Sequence, residues 1–430
     1  MNRDTEAALL AAAVILAAFG VTLVNLAQDG NIGIEAAWTL LLFLAAFTTI
    51  HLGIRRWAPH ANPYLFPLAG FLTAIGFVEV YRVDPALGTA QRWWLLTAAA
   101  AAAGVLFLLR QRGVAILRRY RYLFLAAAIL LLLLPLLPGS WPLYGAEVGG
   151  SRLWVQLRLP ASGELSFQPG EAAKLLLVVF LASYLAERHP ALTSVRRRLG
   201  PIGIPEPRQL LPLLVAWGAS FAVLIYQRDL GASLLLFVLF VTLLYSATGR
   251  PSYLGAGGLL VATGGLVAYR LFDHVQTRVF AWLHPFDDYT GAGYQIAQGL
   301  FALGSGSLTG SGLGMGRPDL IPAAATDFVF AAVAEEAGLA GAVAVVAAFA
   351  LLVAAGLGIA LRVGDRFRKL LAAGLTLVIA IQTLLILAGV IRLLPVTGIT
   401  LPFMSYGGSS LLANMVLLAL LARISHEERS

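Results

Sequence analysis

The sequence predicts an all-α, polytopic membrane protein. Three observations carry that expectation. The chain is 59% hydrophobic and 12% charged, with a mean hydropathy of +0.82. About 20 apolar residues suffice to cross a bilayer as a helix. Twelve such segments follow one another, at 6–27, 34–53, 64–81, 93–109, 122–138, 171–187, 209–226, 230–248, 252–271, 328–361, 370–391 and 408–423. The connections between them alternate in basic charge, the pattern that sets orientation.

If Met1 lies in the cytoplasm, every even-numbered connection faces the cytoplasm too. Those connections hold Arg55 and Arg56, then Arg110, Arg112, Arg118, Arg119 and Arg121, then Arg188, Arg196, Arg197, Arg198 and Arg208, then Arg250, then Arg362, Arg366, Arg368 and Lys369. The alternation is unbroken, so both termini are expected in the cytoplasm and the connection ending at Asp327 outside. The net charge of +8 follows from orientation and attraction to anionic lipid. Arg118-Arg119-Tyr120-Arg121 accordingly reads as a membrane flank, and no nucleic-acid partner is expected. The absence of cysteine excludes disulfides, thiolate catalysis and cysteine-held metal.

The first span begins like a signal peptide but is too long for one and shows no cleavage site, so it is expected to be retained. Spans 1 to 5 have short connections and few charges apart from Glu79, and the small residues Ala98–Ala103 let helices approach closely. Two long outside connections, 139–170 and 272–327, and a shorter one, 392–408, follow, and function is expected to concentrate on them.

The first holds Gly149-Gly150-Ser151-Arg152-Leu153-Trp154 and then Ser166-Phe167-Gln168-Pro169. Pro169 suits a first helical turn. Glu171 sits where the helix dipole favours an anion, and Lys174, three residues on, shares its face. The two form either a neutralising ion pair or a phosphate clamp in which Glu171 orients Lys174. Gln227-Arg228-Asp229 reads either as a tight turn with a charge pair or as part of the same site.

The second connection is expected to be a polar loop from Phe272 to Ala325. It contains Arg278, Trp282, Gly293-Tyr294-Gln295 and a glycine run from Gly304 to Gly314. Such glycines permit close approach and could cradle phosphate with N–H groups, although no Walker sequence occurs; a flexible re-entrant loop is the plainer alternative. Thr326-Asp327-Phe328 closes it. An acid at the membrane edge is either paired or working, and Glu335-Glu336 follow closely. The apolar helix beyond is overlong for one span, so it should tilt or break at Gly338 or Gly341. The third connection, with Leu394-Pro395 and Leu401 through Ser409-Ser410, reads as irregular backbone lining a cavity. No repeat links the two halves, so the inverted-repeat pattern of many transporters is not evident.

From residues alone, Arg152, Lys174, Arg228 and Arg278, one interfacial acid and glycine-rich backbone suit an anionic, lipid-anchored ligand. An enzyme acting on a lipid phosphate and a transporter moving one both remain open.

At these motifs the chain resembles the SEDS family, the FtsW/RodA type of cell-wall polymerase. The resemblance covers about residues 145–425. It rests on Ser166-Phe167-Gln168-Pro169 with Glu171 and Lys174, on Gly293-Tyr294-Gln295, on Thr326-Asp327-Phe328 with Glu335-Glu336 and Gly338, and on Leu394 through Ser410. It implies a peptidoglycan glycosyltransferase that polymerises lipid II at the outer face of the cytoplasmic membrane, in division or elongation. It also implies a class B penicillin-binding protein as transpeptidase partner, alongside other divisome or elongasome proteins. The family's essential aspartate falls on Asp327, and its acid and lysine on Glu171 and Lys174. Arg152, Arg278, Gln295, Thr326 and Ser409 are the expected substrate contacts, and a divalent cation, magnesium or manganese, is a candidate cofactor. A family core of ten spans implies that residues 1–60 are an added N-terminal pair before a core at 61–430. The departures are Ala325 for the family's histidine, Gly170, Arg228, Gly149 and Leu153. With Ala325 in place, no mechanism assisted by an adjacent histidine is expected. The rival readings are a lipid II flippase and a non-catalytic scaffold.

Overall fold

The computed structural model describes residues 3–148, 151–158, 164–193, 197–199, 202–204 and 207–429. Gly149, Gly150 and Arg196, singled out above, lie outside the described residues. The fold is all-α and polytopic. Its helices are α1 Arg3–Asp29, α2 Glu35–Trp57, α3 Leu65–Val83, α4 Pro85–Leu109, α5 Ala115–Arg119, α6 Arg121–Leu133, α7 Pro169–Thr193, α8 Pro207–Tyr226, α9 Leu230–Thr248, α10 Ser252–Leu271, α11 Asp273–Leu283, α12 Tyr294–Ser305, α13 Val329–Arg362, α14 Arg366–Val390 and α15 Gly408–Arg429. Among the described residues, ten helices are long and apolar enough to span a bilayer: α1–α4, α7, α9, α10 and α13–α15. The remaining two expected segments are helical as well. Residues 122–138 become the short α6 followed by a 3-10 turn, Leu134–Leu136, and residues 209–226 fall within α8. This is a multi-pass membrane protein.

Local chemistry explains several boundaries. Asp84 caps α4, its carboxylate accepting from the Ala86 and Leu87 N–H groups ahead of Pro85 in the first turn. Asp229 caps α9 by accepting from Ala232, and Gly249 closes that helix in the left-handed region at φ 69°. The turn at 227–229 therefore uses its acid as a helix cap, and Arg228 takes a positive φ of 60°. The overlong helix breaks at Gly338, with φ 66° and ψ −168°.

Two connections differ from the loops expected. Residues 139–170 include an antiparallel sheet, β1 Leu143–Val148, β2 Ser151–Arg158 and β3 Glu164–Phe167, in which Tyr144 faces Gln156 and Gln156 faces Ser166. Residues 272–327 contain α11 and α12, helices of 11 and 12 residues, too short and too mixed in polarity to register as spans.

The chain forms two compact units. The first comprises Met1–Arg110, Gly265–Ala355 and Gln382–Ser430, and the second Gln111–Gly264 and Gly356–Ile381. In the first, α1 packs on α2 and α3, and α4 packs on α2 and α15. The Tyr81 hydroxyl donates to Asn25 at 2.9 Å across α3 and α1, and Arg92 pairs with Glu35 across α4 and α2. Backbones meet where glycine allows. A Cβ at Gly76 would lie 2.3 Å from the Met404 backbone, and one at Gly408 2.0 Å from the Trp94 ring. In the second unit, α7 packs between α6 and α9, and β2 and β3 extend the small sheet from β1.

Gly76→Ala is therefore expected to destabilise the first unit by about 1–3 kcal/mol, the usual cost of overpacking. Thermal unfolding in detergent measures it, and an unchanged midpoint would show that the Met404 backbone can yield.

Candidate functional site

The candidate site is a cleft in the first unit, with about 550 Å³ of empty space. Thr277, Arg278 and Ala281 line it from α11, Ala292 from the turn before α12, Gln295 and Ile296 from the start of α12, Asp327 from the turn before α13, and Val396 and Gly398 from the last connection. One anion and one cation face it.

Asp327 is positioned by a succession of turns. Ala323, at φ 57°, offers its carbonyl to the Thr326 and Phe328 N–H groups, at 3.0 and 3.3 Å. Phe328 is fully buried, and Gly299 of α12 leaves space for its ring: a Cβ there would sit 2.5 Å away. The last connection fastens the same turn. Tyr406 N–H donates to Ala325 O at 2.7 Å, and the Ser405 hydroxyl to Thr326 O at 2.6 Å. Burial pushes the Asp327 carboxyl up from 3.8 to about 6, while the Arg278 guanidinium and the Thr326 hydroxyl pull against that rise. Arg278 is held in turn, its Nη1 donating to Val396 O at 3.4 Å and Thr397 O at 3.2 Å. Gln295 Nε2 donates to Pro322 O at 3.1 Å. A carboxylate of this pKa beside a fixed cation can accept a proton near neutral pH while the cation faces an anion.

Behind the turn, the glycine run serves a purpose other than the phosphate cradle that its composition suggested. Gly314 N–H donates to Glu336 Oε2 at 2.7 Å and Gly316 N–H to Glu336 Oε1 at 3.3 Å, while Arg317 N–H reaches Glu335 Oε1 at 3.0 Å. Arg82 of α3 completes the clasp, with Nε on Glu336 at 3.1 Å and Nη2 on Gly316 O at 2.9 Å. Ser311 and Gly312 N–H groups bond the Glu335 and Glu336 carbonyls, and Leu339 N–H bonds Ser307 O. The break at Gly338 thus exchanges backbone bonds with the glycine loop. These N–H groups are engaged inside the protein.

Glu171 and Lys174 belong to the second unit. They form a buried pair at the start of α7, Lys174 Nζ donating to Glu171 Oε1 at 2.9 Å. Glu171 Oε2 is buried without a hydrogen-bond partner among the described residues. Arg152 lies on β2, half exposed, 3.5 Å from Glu147. Of the expected site residues, the structure thus gathers Asp327, Arg278 and Gln295 on one cleft. Thr326 is adjacent in sequence, its hydroxyl donating to Ala323 O. Ser409 is buried in the first turn of α15 and does not line the cleft.

Sequence reasoning missed Arg82, three residues after Glu79 on α3, and Arg392, which stands just past the end of α14. A signal existed in each case: a lone arginine at the end of an apolar span, and an arginine at a helix end where glycine is usual.

The fold and the cleft together define a polytopic membrane protein in which an acid and a cation line one cleft. Residues 62–430 match the family described as cell cycle protein, which groups FtsW, RodA and SpoVE, and the chain belongs to that family. It is 42% identical to a Mycobacterium tuberculosis protein named peptidoglycan glycosyltransferase RodA, over 100% of this chain and 91% of that one. It is 34% identical to the stage V sporulation protein E of Bacillus subtilis, over 69% of this chain and 76% of that one. Among solved structures, it resembles a chain from a peptidoglycan synthase complex in which polymerisation and crosslinking are coordinated (TM-score 0.68, 26% identity, 86% of this chain and 98% of that one). It also resembles the rod shape determining protein RodA of Thermus thermophilus (TM-score 0.57, 26% identity, covering 86% and 98%).

Two outcomes follow. Glu336→Ala strands Arg82 and the Gly314 and Gly316 N–H groups, and is expected to cost about 3–5 kcal/mol, the range for a broken buried pair; denaturant unfolding reads this. Asp327→Asn behaves oppositely. A folded-state pKa raised from 3.8 to about 6 gives stability that is present below pH 3.8 and lost as pH rises through about 6. Wild type should therefore lose up to about 3 kcal/mol between pH 4 and 6 that the asparagine variant keeps.

Proposed function

We propose that this protein is a peptidoglycan glycosyltransferase that polymerises lipid II at the outer face of the cytoplasmic membrane. The glycosyltransferase class rests on relatives of that name at 42% identity across the whole chain. The observation that supports the residue assignment is the half-buried Asp327, with a pKa of about 6, sharing its cleft with Arg278. The basic residues of the even-numbered connections support a cytoplasmic placement of both termini, with the cleft outside.

Lipid II carries its sugar on an α-linked pyrophosphate, and a β-1,4 glycan requires inversion at that carbon. Asp327 takes the proton of the acceptor 4-hydroxyl, the new C1–O bond forms, and the C1–pyrophosphate bond breaks, the electron pair leaving with the lipid pyrophosphate. General-base catalysis is worth roughly 10²–10⁴-fold. Lys174 and Arg152, with Arg278, are the groups assigned to the pyrophosphate charge, and Glu171 orients Lys174. Among the described residues no group of three His, Cys, Asp or Glu side chains is placed to hold a metal. A magnesium or manganese ion bound to the substrate's own phosphates would supply further charge neutralisation there. The likeness to a complex that coordinates polymerisation and crosslinking supports a class B penicillin-binding protein as partner. Residues 1–60 we assign as an N-terminal helix pair added to the core.

Purified protein in detergent, given lipid II, is expected to form glycan chains, with a rate that falls as pH drops through about 6. Asp327→Asn is expected to fold, bind its partner and make no polymer. Polymer from that variant at the wild-type rate would remove Asp327 from the chemistry. Failure of the wild-type protein to form any bond, together with lipid II movement across vesicles, would favour the flippase.

A further inference from the structure

Arg392 occupies the left-handed region, at φ 60°. It stands two residues past the end of α14, and the Leu393 and Leu394 N–H groups both return to Ala388 O, at 2.7 and 3.0 Å. That is a helix-ending turn in which glycine is the usual residue. An arginine backbone there is strained, and residues kept in strained conformations cluster at functional sites. The guanidinium accounts for its presence. Nε donates to Trp282 O at 2.8 Å and Nη2 to Leu283 O at 2.8 Å, meeting the carbonyls that the end of α11 leaves unpaired. Trp282 Nε1 returns a bond to Arg392 O at 3.1 Å. Arg278 lies four residues before Trp282, so both project from one face of α11 toward the 392–397 segment.

We propose that Arg392 is a positioning residue of the cleft: it clips the end of α11 to the turn after α14 and so fixes where Arg278 meets Asp327. The clip contributes no atom to the reaction. Its effect on turnover rests on the proposed role of Asp327, but the clip itself can be tested without that role. The one charged side chain facing Asp327 among the described residues that line the cleft is Arg278; Thr277, Gln295, Val396 and Gly398 are neutral.

Arg392→Gly is the informative variant, because glycine suits the turn while deleting the guanidinium. The chain lacks cysteine, so Phe280→Cys and Leu393→Cys, both exposed in the parent protein, can carry spin labels on the two clipped segments. The distance distribution between them should be narrow in the parent and broad with Arg392→Gly; an equally narrow distribution overturns the proposal whatever Asp327 does. In the polymerisation assay Arg392→Gly should lower kcat about tenfold or more, as misplacement of a reacting group does, with KM little changed. It should also move the acid limb of the pH profile upward, since Arg278 holds Asp327 down. Arg392→Lys should retain part of both, and adding Arg392→Gly to Arg278→Gln should shift the limb no further than Arg278→Gln alone. An unmoved limb, or fully additive shifts, would show that Arg392 is only a helix-end residue. Wild-type polymerisation by Asp327→Asn with a broadened Arg392→Gly distribution would instead sink the base assignment and leave the clip standing.

Discussion

Within a membrane protein, a backbone that departs from helix must find its hydrogen bonds inside the protein. The break in α13 at Gly338 sets that requirement here, and the first unit is organised around meeting it. Glu336 accepts two glycine N–H groups and the Arg82 guanidinium, while the carbonyls of Glu335 and Glu336 take Ser311 and Gly312. The glycine loop can lie this close because a side chain there would collide. A Cβ at Gly310 would meet Glu336 O at 2.1 Å, and one at Gly306 would meet Ala334 O at 1.9 Å. With the loop fixed on one side and Phe328 seated over Gly299 on the other, the turn carrying Asp327 has little freedom.

Two opposed influences then set the acid. Burial favours its neutral form, and Arg278 favours its charged form. Full exposure would leave a weak base and a tight ion pair would leave a weaker one; the surroundings of Asp327 place it above both. The second unit takes a different course with Glu171 and Lys174, whose charges meet directly at 2.9 Å in a buried pair. A buried pair of this kind is weak evidence for stability and better evidence for fixed orientation.

Much of the fold was legible because bilayer physics writes it into composition. Long apolar runs give the spans, and arginines mark their flanks. Pro169 could be read as a helix start, and Gly338 as one of two possible breaks. Less legible was whatever depends on contacts between distant segments. Glycines 304–316 advertise close approach, but not that the close neighbour is Glu336 rather than a phosphate. The short α11 and α12 carry too few residues for periodicity to separate them from loop, and β1–β3 lie in a stretch whose polarity resembled a connection. At the site, Asp327 and Arg278 were both legible as candidates. That Val396 and Gly398 would complete their cleft, and that Ser409 would be buried away from it, depends on how the last connection folds back over α11.

Ala325 has a consequence for how the cycle must close. Its carbonyl is bound by the Tyr406 N–H and its methyl is buried, so position 325 offers no imidazole to receive a proton. None of the other described residues lining the cleft is a base. Under the proposed role of Asp327, a proton it accepts would pass directly to water through the cleft mouth before the next sugar arrives. Resetting the site in that proposed cycle would be an exchange with bulk solvent, sensitive to whatever covers that opening, rather than an internal relay.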